Sequence, residues 1–126
     1  MDKFPEDISH LRNQLTLLSL GKNNISGALP KFNDFALLTF LNVGSNKFEG
    51  AISGDWFSGC ASLGTLVLAG NAFSGNNIDF NGLPLLTDLE IDGNSFSGSL
   101  PSLVGLPRLL NLDVSDNKFS GTIPAS

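Results

Sequence analysis

The side chains of this 126-residue chain that could do chemistry are mostly carboxylates, 12 in all against one histidine and one cysteine. Five gather toward one end: Asp88, Glu90 and Asp92 at alternate positions, then Asp113 and Asp116. Residues spaced by two share a face of an extended strand, so the first three would stand in a row. A row of carboxylate oxygens suits Ca²⁺ in ligand type. Alternate residues on a strand lie ~6–7 Å apart, however, which is wide for one ion, and no metal is expected. Two carboxylates flanking a bond can hydrolyse a glycoside, but that chemistry needs an enclosed pocket that an open row does not provide. A solvated acidic face that attracts a basic partner is the remaining reading.

The other reactive side chains are isolated. His10 lies in a poorly specified amino-terminal stretch and is expected to be solvated. Cys60, in Gly59-Cys60-Ala61-Ser62-Leu63, has no second histidine in the chain to activate it and is expected to pack as a small hydrophobe. A single cysteine also excludes an internal disulfide and a cysteine-built metal site. The glycines mark no phosphate loop. No catalytic residue and no cofactor is therefore expected. Asn24-Ile25-Ser26 is the one N-glycosylation acceptor pattern, with Asn24 expected to face solvent.

The elements that position these residues come from an internal repeat. Leu, two residues, Leu, one residue, an aliphatic, two residues, Asn, one residue, then Ile or Phe recurs five times. The five copies begin near Leu15, Leu38, Leu63, Leu86 and Leu109, and their asparagines are Asn23, Asn46, Asn71, Asn94 and Asn117. Those asparagines are separated by 23, 25, 23 and 23 residues. The Leu-x-Leu part reads as a short strand with alternate side chains inward, so Leu18 and Leu20 point in while Ser19 points out. An inward asparagine both donates and accepts, and so can satisfy backbone groups of the turn that follows.

This pattern resembles the leucine-rich repeat family. After each asparagine comes a further signature, as in Ser26-Gly27-Ala28-Leu29-Pro30, Ser97-Gly98-Ser99-Leu100-Pro101 and Ser120-Gly121-Thr122-Ile123-Pro124, which resembles the plant-type class of receptor kinases, receptor-like proteins and polygalacturonase inhibitors. Two copies depart from it: Glu49-Gly50-Ala51-Ile52 leads to Ser53, and Ser74-Gly75 leads into Asn76-Asn77-Ile78, both without proline. The resemblance implies a right-handed repeat solenoid of the α/β type, with one concave parallel β-sheet and irregular or 3-10 convex segments. Residues 1–14 read as the return part of a repeat, and 15–126 as about five repeats. No cysteine-paired cap is present, so the ends are expected to be uncapped and the chain to be a fragment or truncated relative. Gly54-Asp55-Trp56-Phe57-Ser58-Gly59 lengthens the second return segment, and Trp56 and Phe57 are expected to fill its core.

The same resemblance implies protein or peptide recognition on the concave face. The outward positions divide it. Leu17, Phe40, Asn42 and Val67 form an apolar to neutral area, and Asp88, Glu90, Asp92, Asn111, Asp113 and Asp116 an acidic one. A protein or peptide with basic residues is the expected partner. The competing expectation is structural: a solenoid that associates with itself through its ends. Nucleic acid is disfavoured by a net charge of −5 without a basic cluster. No run of ~18 apolar residues provides a membrane span, and the first residues lack a signal-peptide core. An extracellular or cell-surface location follows from the resemblance alone.

Overall fold

The computed structural model describes residues 3–80 and 82–120. Met1, Asp2, Asn81 and the Gly121–Pro124 part of the last signature lie outside the described residues. Apolar periodicity of two over three residues produces the first set of strands: β1 (Leu17–Ser19), β3 (Phe40–Asn42), β5 (Thr65–Val67), β7 (Asp88–Glu90) and β9 (Asn111–Asp113). They form one parallel concave sheet in the order β1-β3-β5-β7-β9. Each pairs in the register of the repeat itself, Leu18 with Leu41, Leu41 with Leu66, Leu66 with Leu89 and Leu89 with Leu112.

The return segments are more regular than the irregular or 3-10 chain expected of them. The residues after each asparagine form β2 (Ser26–Ala28), β4 (Lys47–Ala51), β6 (Ala72–Asn76), β8 (Ser95–Gly98) and β10 (Lys118–Phe119). These make a second parallel sheet, ordered β10-β8-β6-β4-β2. The buried backbone beyond each asparagine needs partners, and a copy of itself in the next turn supplies them. The longest strands, β4 and β6, belong to the two copies without proline, where no missing N–H and no pre-proline restriction interrupts the ladder. Register here runs two residues off the motif, with Ser26 opposite Lys47 and Ser74 opposite Ser95. An isolated parallel bridge between Lys3 and Ser26 continues this sheet into the amino-terminal segment. Helix is almost absent: one 3-10 turn, Ser9–Leu11, occurs among the described residues.

Between the sheets the core is a set of columns. Leu41, Leu66 and Leu89 form one column, Val43, Leu68 and Ile91 the next, and Leu38, Leu63 and Leu86 a third, all fully buried. Phe48 and Phe73 stack at 5.9 Å, and Phe96 stacks on Phe119 at 6.4 Å. A second aromatic column of Phe32, Phe57 and Phe80 fills the convex side, with centroids 6.3 and 6.4 Å apart. Cys60 occupies the convex position held elsewhere by Phe35, Leu83 and Leu106, and the carbonyl of each of the four accepts the N–H of the residue three further on. Trp56 is half-buried, donates Nε1 to the Leu29 carbonyl at 3.2 Å, and carries Lys31 over its ring at 5.3 Å. Lys31 also pairs with Asp55 at 2.8 Å, which pins the lengthened loop to the repeat before it.

Candidate functional site

The ladder of asparagines sets the geometry of the outward face. Asn94 Nδ2 donates to the carbonyls of Ile91 and Asp92 in its own turn and of Leu68 in the preceding one. Its Oδ1 accepts the Phe73 N–H at 3.0 Å. Asn46, Asn71 and Asn117 repeat this arrangement, so each carboxamide ties two successive repeats together. Asn23 makes the bonds within its own turn, to Leu20 and Gly21, and is exposed. The bridging between repeats is more than the local turn satisfaction expected from the amide's valence.

With the strands locked, one turn position in every repeat is left-handed: Lys22, Ser45, Gly70, Gly93 and Asp116 have φ between 54° and 70°. Gly70 and Gly93 are therefore there for the backbone, which at the other three positions carries a side chain in a conformation that costs energy. Gly44 serves packing, since a Cβ there would stand 3.1 Å from Val67 Cγ1 and from Asn42 Oδ1.

Across the first strands the concave face holds an open groove of about 350 Å³ lined by Ser19, Gly21, Lys22, Asn42, Gly44, Ser45, Val67, Ala69 and Glu90. Of the residues expected to contact a partner, Asn42, Val67 and Glu90 line it. Asn42 is partly committed, its Oδ1 accepting the Gly44 N–H at 2.9 Å. Leu17 and Phe40 lie side by side two residues earlier on β1 and β3, Leu17 exposed and Phe40 half-buried. Lys22 is the one cation of the lining and stands opposite in charge to Glu90. Lys22 is an outward position of the repeat that was not among the residues expected to contact a partner, and it sits in the left-handed turn after β1.

The acidic residues occupy the far strands. Glu90 and Asp113 are register partners, as are Asp88 and Asn111. Asn111 Nδ2 donates to Asp88 Oδ1. Asp113 Oδ1 accepts both the N–H and the hydroxyl of Ser115, at 3.0 and 2.6 Å. Those two bonds, hydroxyl first, hold the Asp113 carboxyl below its ordinary range. Asp92 has one carboxylate oxygen buried without a partner. Asp116 lines a hollow of about 260 Å³ with Leu100, Val114, Asn117, Phe119 and Ser120. Among the described residues no three His, Cys, Asp or Glu side chains converge as metal ligands. No helix among them is long and apolar enough to cross a membrane.

Parallel strands on one face, asparagines that bridge successive turns at Asn46, Asn71, Asn94 and Asn117, and a repeating Leu-x-Leu define the leucine-rich-repeat class. The sequence profile described as Leucine Rich Repeat matches residues 108–126. Receptor-like protein 53 of Arabidopsis thaliana is 39% identical over 95 residues, spanning 57% of this chain and 10% of that protein. The ectodomain of the receptor kinase SOBIR1 from Arabidopsis thaliana superposes with a TM-score of 0.80 at 28% identity, over 95% of this chain and 67% of that one. The BIR3–SERK2 complex from the same plant gives 0.75 at 31% identity, over 86% and 59%. The chain thus spans about a tenth of the curated relative and a little over half of the chain matched in that complex. The fold is a leucine-rich-repeat solenoid, and the chain is similar to plant receptor ectodomains of that kind.

Proposed function

We propose that this chain is a non-catalytic recognition module that binds an extended protein or peptide segment across its concave sheet, outside the cell or at its surface. The observation that carries this reading is the continuous groove over β1, β3 and β5, apolar to neutral along its floor and bordered by carboxylates on β7 and β9. Such a surface takes a ligand whose apolar part rests near Leu17, Phe40 and Val67 and whose basic residues meet Glu90, Asp88 and Asp113. Lys22, at the opposite end, favours an acidic group or a carboxylate terminus and so sets the direction of the segment. Protein partners are the precedent among its neighbours, one of which is a complex of two such proteins.

Screening basic peptides against the parent and Glu90→Gln tests this. Weaker binding to the variant, with a steeper loss in the parent as salt rises, is the expected result. Equal binding of every hit to both proteins would move the surface elsewhere. Phe40→Ala should weaken the same hits with little salt dependence. A second reading, self-association, draws on Val104 and Leu110, exposed at 74% and 79% in the last two repeats. A mass in solution that rises with concentration and falls on Leu110→Ser favours it.

A further inference from the structure

The turn between β1 and β2 carries two adjacent asparagines with opposite environments. Asn23 commits its carboxamide to the Leu20 and Gly21 carbonyls, whereas Asn24 is exposed and enters no hydrogen bond among the described residues. Asn24 holds a left-handed conformation, φ 56°, which turns it away from the core. Ile25, the next residue, is fully buried and anchors the turn by donating its N–H to Asn46 Oδ1 at 2.9 Å. Ser26 opens β2, with its backbone paired to Lys47. Chain polarity therefore alternates outward, inward, strand across an Asn-x-Ser acceptor, the only one in the sequence.

We infer that Asn24 is an N-glycosylation site, with an oligosaccharide held on the flank of the first repeat. The inference rests on the extracellular part of the reading above. In the transfer, the Asn24 Nδ2 forms a bond to the anomeric carbon of a lipid diphosphate-linked oligosaccharide. The anomeric carbon–oxygen bond breaks, the lipid diphosphate leaves with the electron pair, and an amide proton passes to a base. The folded chain tolerates the product because the attached nitrogen has no internal partner to lose. Strand β7 is three strands from β1 and β9 four, ~14 and ~19 Å at the usual strand spacing, so a sugar on the turn after β1 stands off the acidic end of the face.

Translating the full chain behind a cleavable leader with microsomes, and weighing the protease-protected product, tests the site. One oligosaccharide of added mass is expected, removed by peptide N-glycosidase with conversion of Asn24 to Asp. Ser26→Ala should abolish the increment completely and Ser26→Thr should restore it. A protected parent of unmodified mass, or an increment that survives Ser26→Ala, overturns the assignment. Neither outcome bears on recognition, because unglycosylated protein titrated with basic peptides reads that separately.

Discussion

A ladder asparagine does more than cap its own turn. Replacing Asn94 with Ala would orphan the Phe73 N–H and remove a donor from the Leu68, Ile91 and Asp92 carbonyls at once. Removing one partner from buried polar groups costs about 1–3 kcal/mol, so Asn94→Ala and Asn71→Ala should lower the unfolding free energy by that amount, read as a lower urea midpoint at constant slope. Asn23→Ala should cost much less, since its carbonyl partners can turn to water. Equal losses at all three positions would separate stability from the bridging of repeats. Cys60 offers a second residue-scale test. Burial pushes its thiol from an ordinary 9.0 to about 11, against the opposing effect of a backbone bond. The unfolded chain then releases this proton at lower pH than the folded one. Stability from the neutral thiol is full below pH 9 and lost as pH rises toward 11, by about 2–3 kcal/mol. Unfolding of the parent and of Cys60→Ala compared between pH 8 and 11 should show the parent falling more steeply.

At the scale of an element, the second sheet depends on close backbone approach. Gly98 has φ 80°, and a Cβ there would sit 2.8 Å from the Asn77 backbone nitrogen. Gly50 has φ 101°, with nothing nearer than the Ala28 Cβ at 4.0 Å. Gly50→Ala thus incurs only the left-handed backbone penalty of ~1–2 kcal/mol, while Gly98→Ala adds a clash between β8 and the chain beside it. Thermal melts should rank Gly98→Ala clearly below Gly50→Ala, and a reversed order would refute the two-residue offset of this sheet. The lengthened loop follows the same logic. Phe57 is stacked between Phe32 and Phe80, whereas Trp56 is only partly buried against the core. Phe57→Ala should cost ~3–5 kcal/mol, and Trp56→Ala less, with peptide binding untouched by the latter.

Over the whole molecule every strand meets only the strand one repeat before and after it. Stability of such an array is a sum of repeat and nearest-neighbour contributions. Amide exchange should therefore be slowest in β3, β5 and β7 and fastest in β1 and β9, whose outer edges are unpaired among the described strands. Uniform protection across the five strands would contradict this one-dimensional coupling. The charge pattern also acts at this scale. Glu90 faces Asp113 across the ladder, and like charges so placed repel, so Glu90→Gln should stabilise the free protein slightly. Asp113→Asn should not, because it disturbs the two bonds from Ser115.

The family resemblance carried by the repeat residues implied the solenoid, and periodicity determined the concave strands and their register, since burying every Leu-x-Leu on one side stacks the copies in step. It also determined that Glu90 and Asp113 are neighbours and that Cys60 has a place in the core column. The second sheet was not legible, because its strands are short, rich in Gly and Ser, and without an apolar alternation of their own. Their pairing is imposed by the concave strands and the asparagine bridges. The groove's membership was likewise a tertiary matter. Lys22, Ser45 and Asp116 share one left-handed turn position, because φ there is set by the ladder bonds around them and not by the residue that happens to sit there.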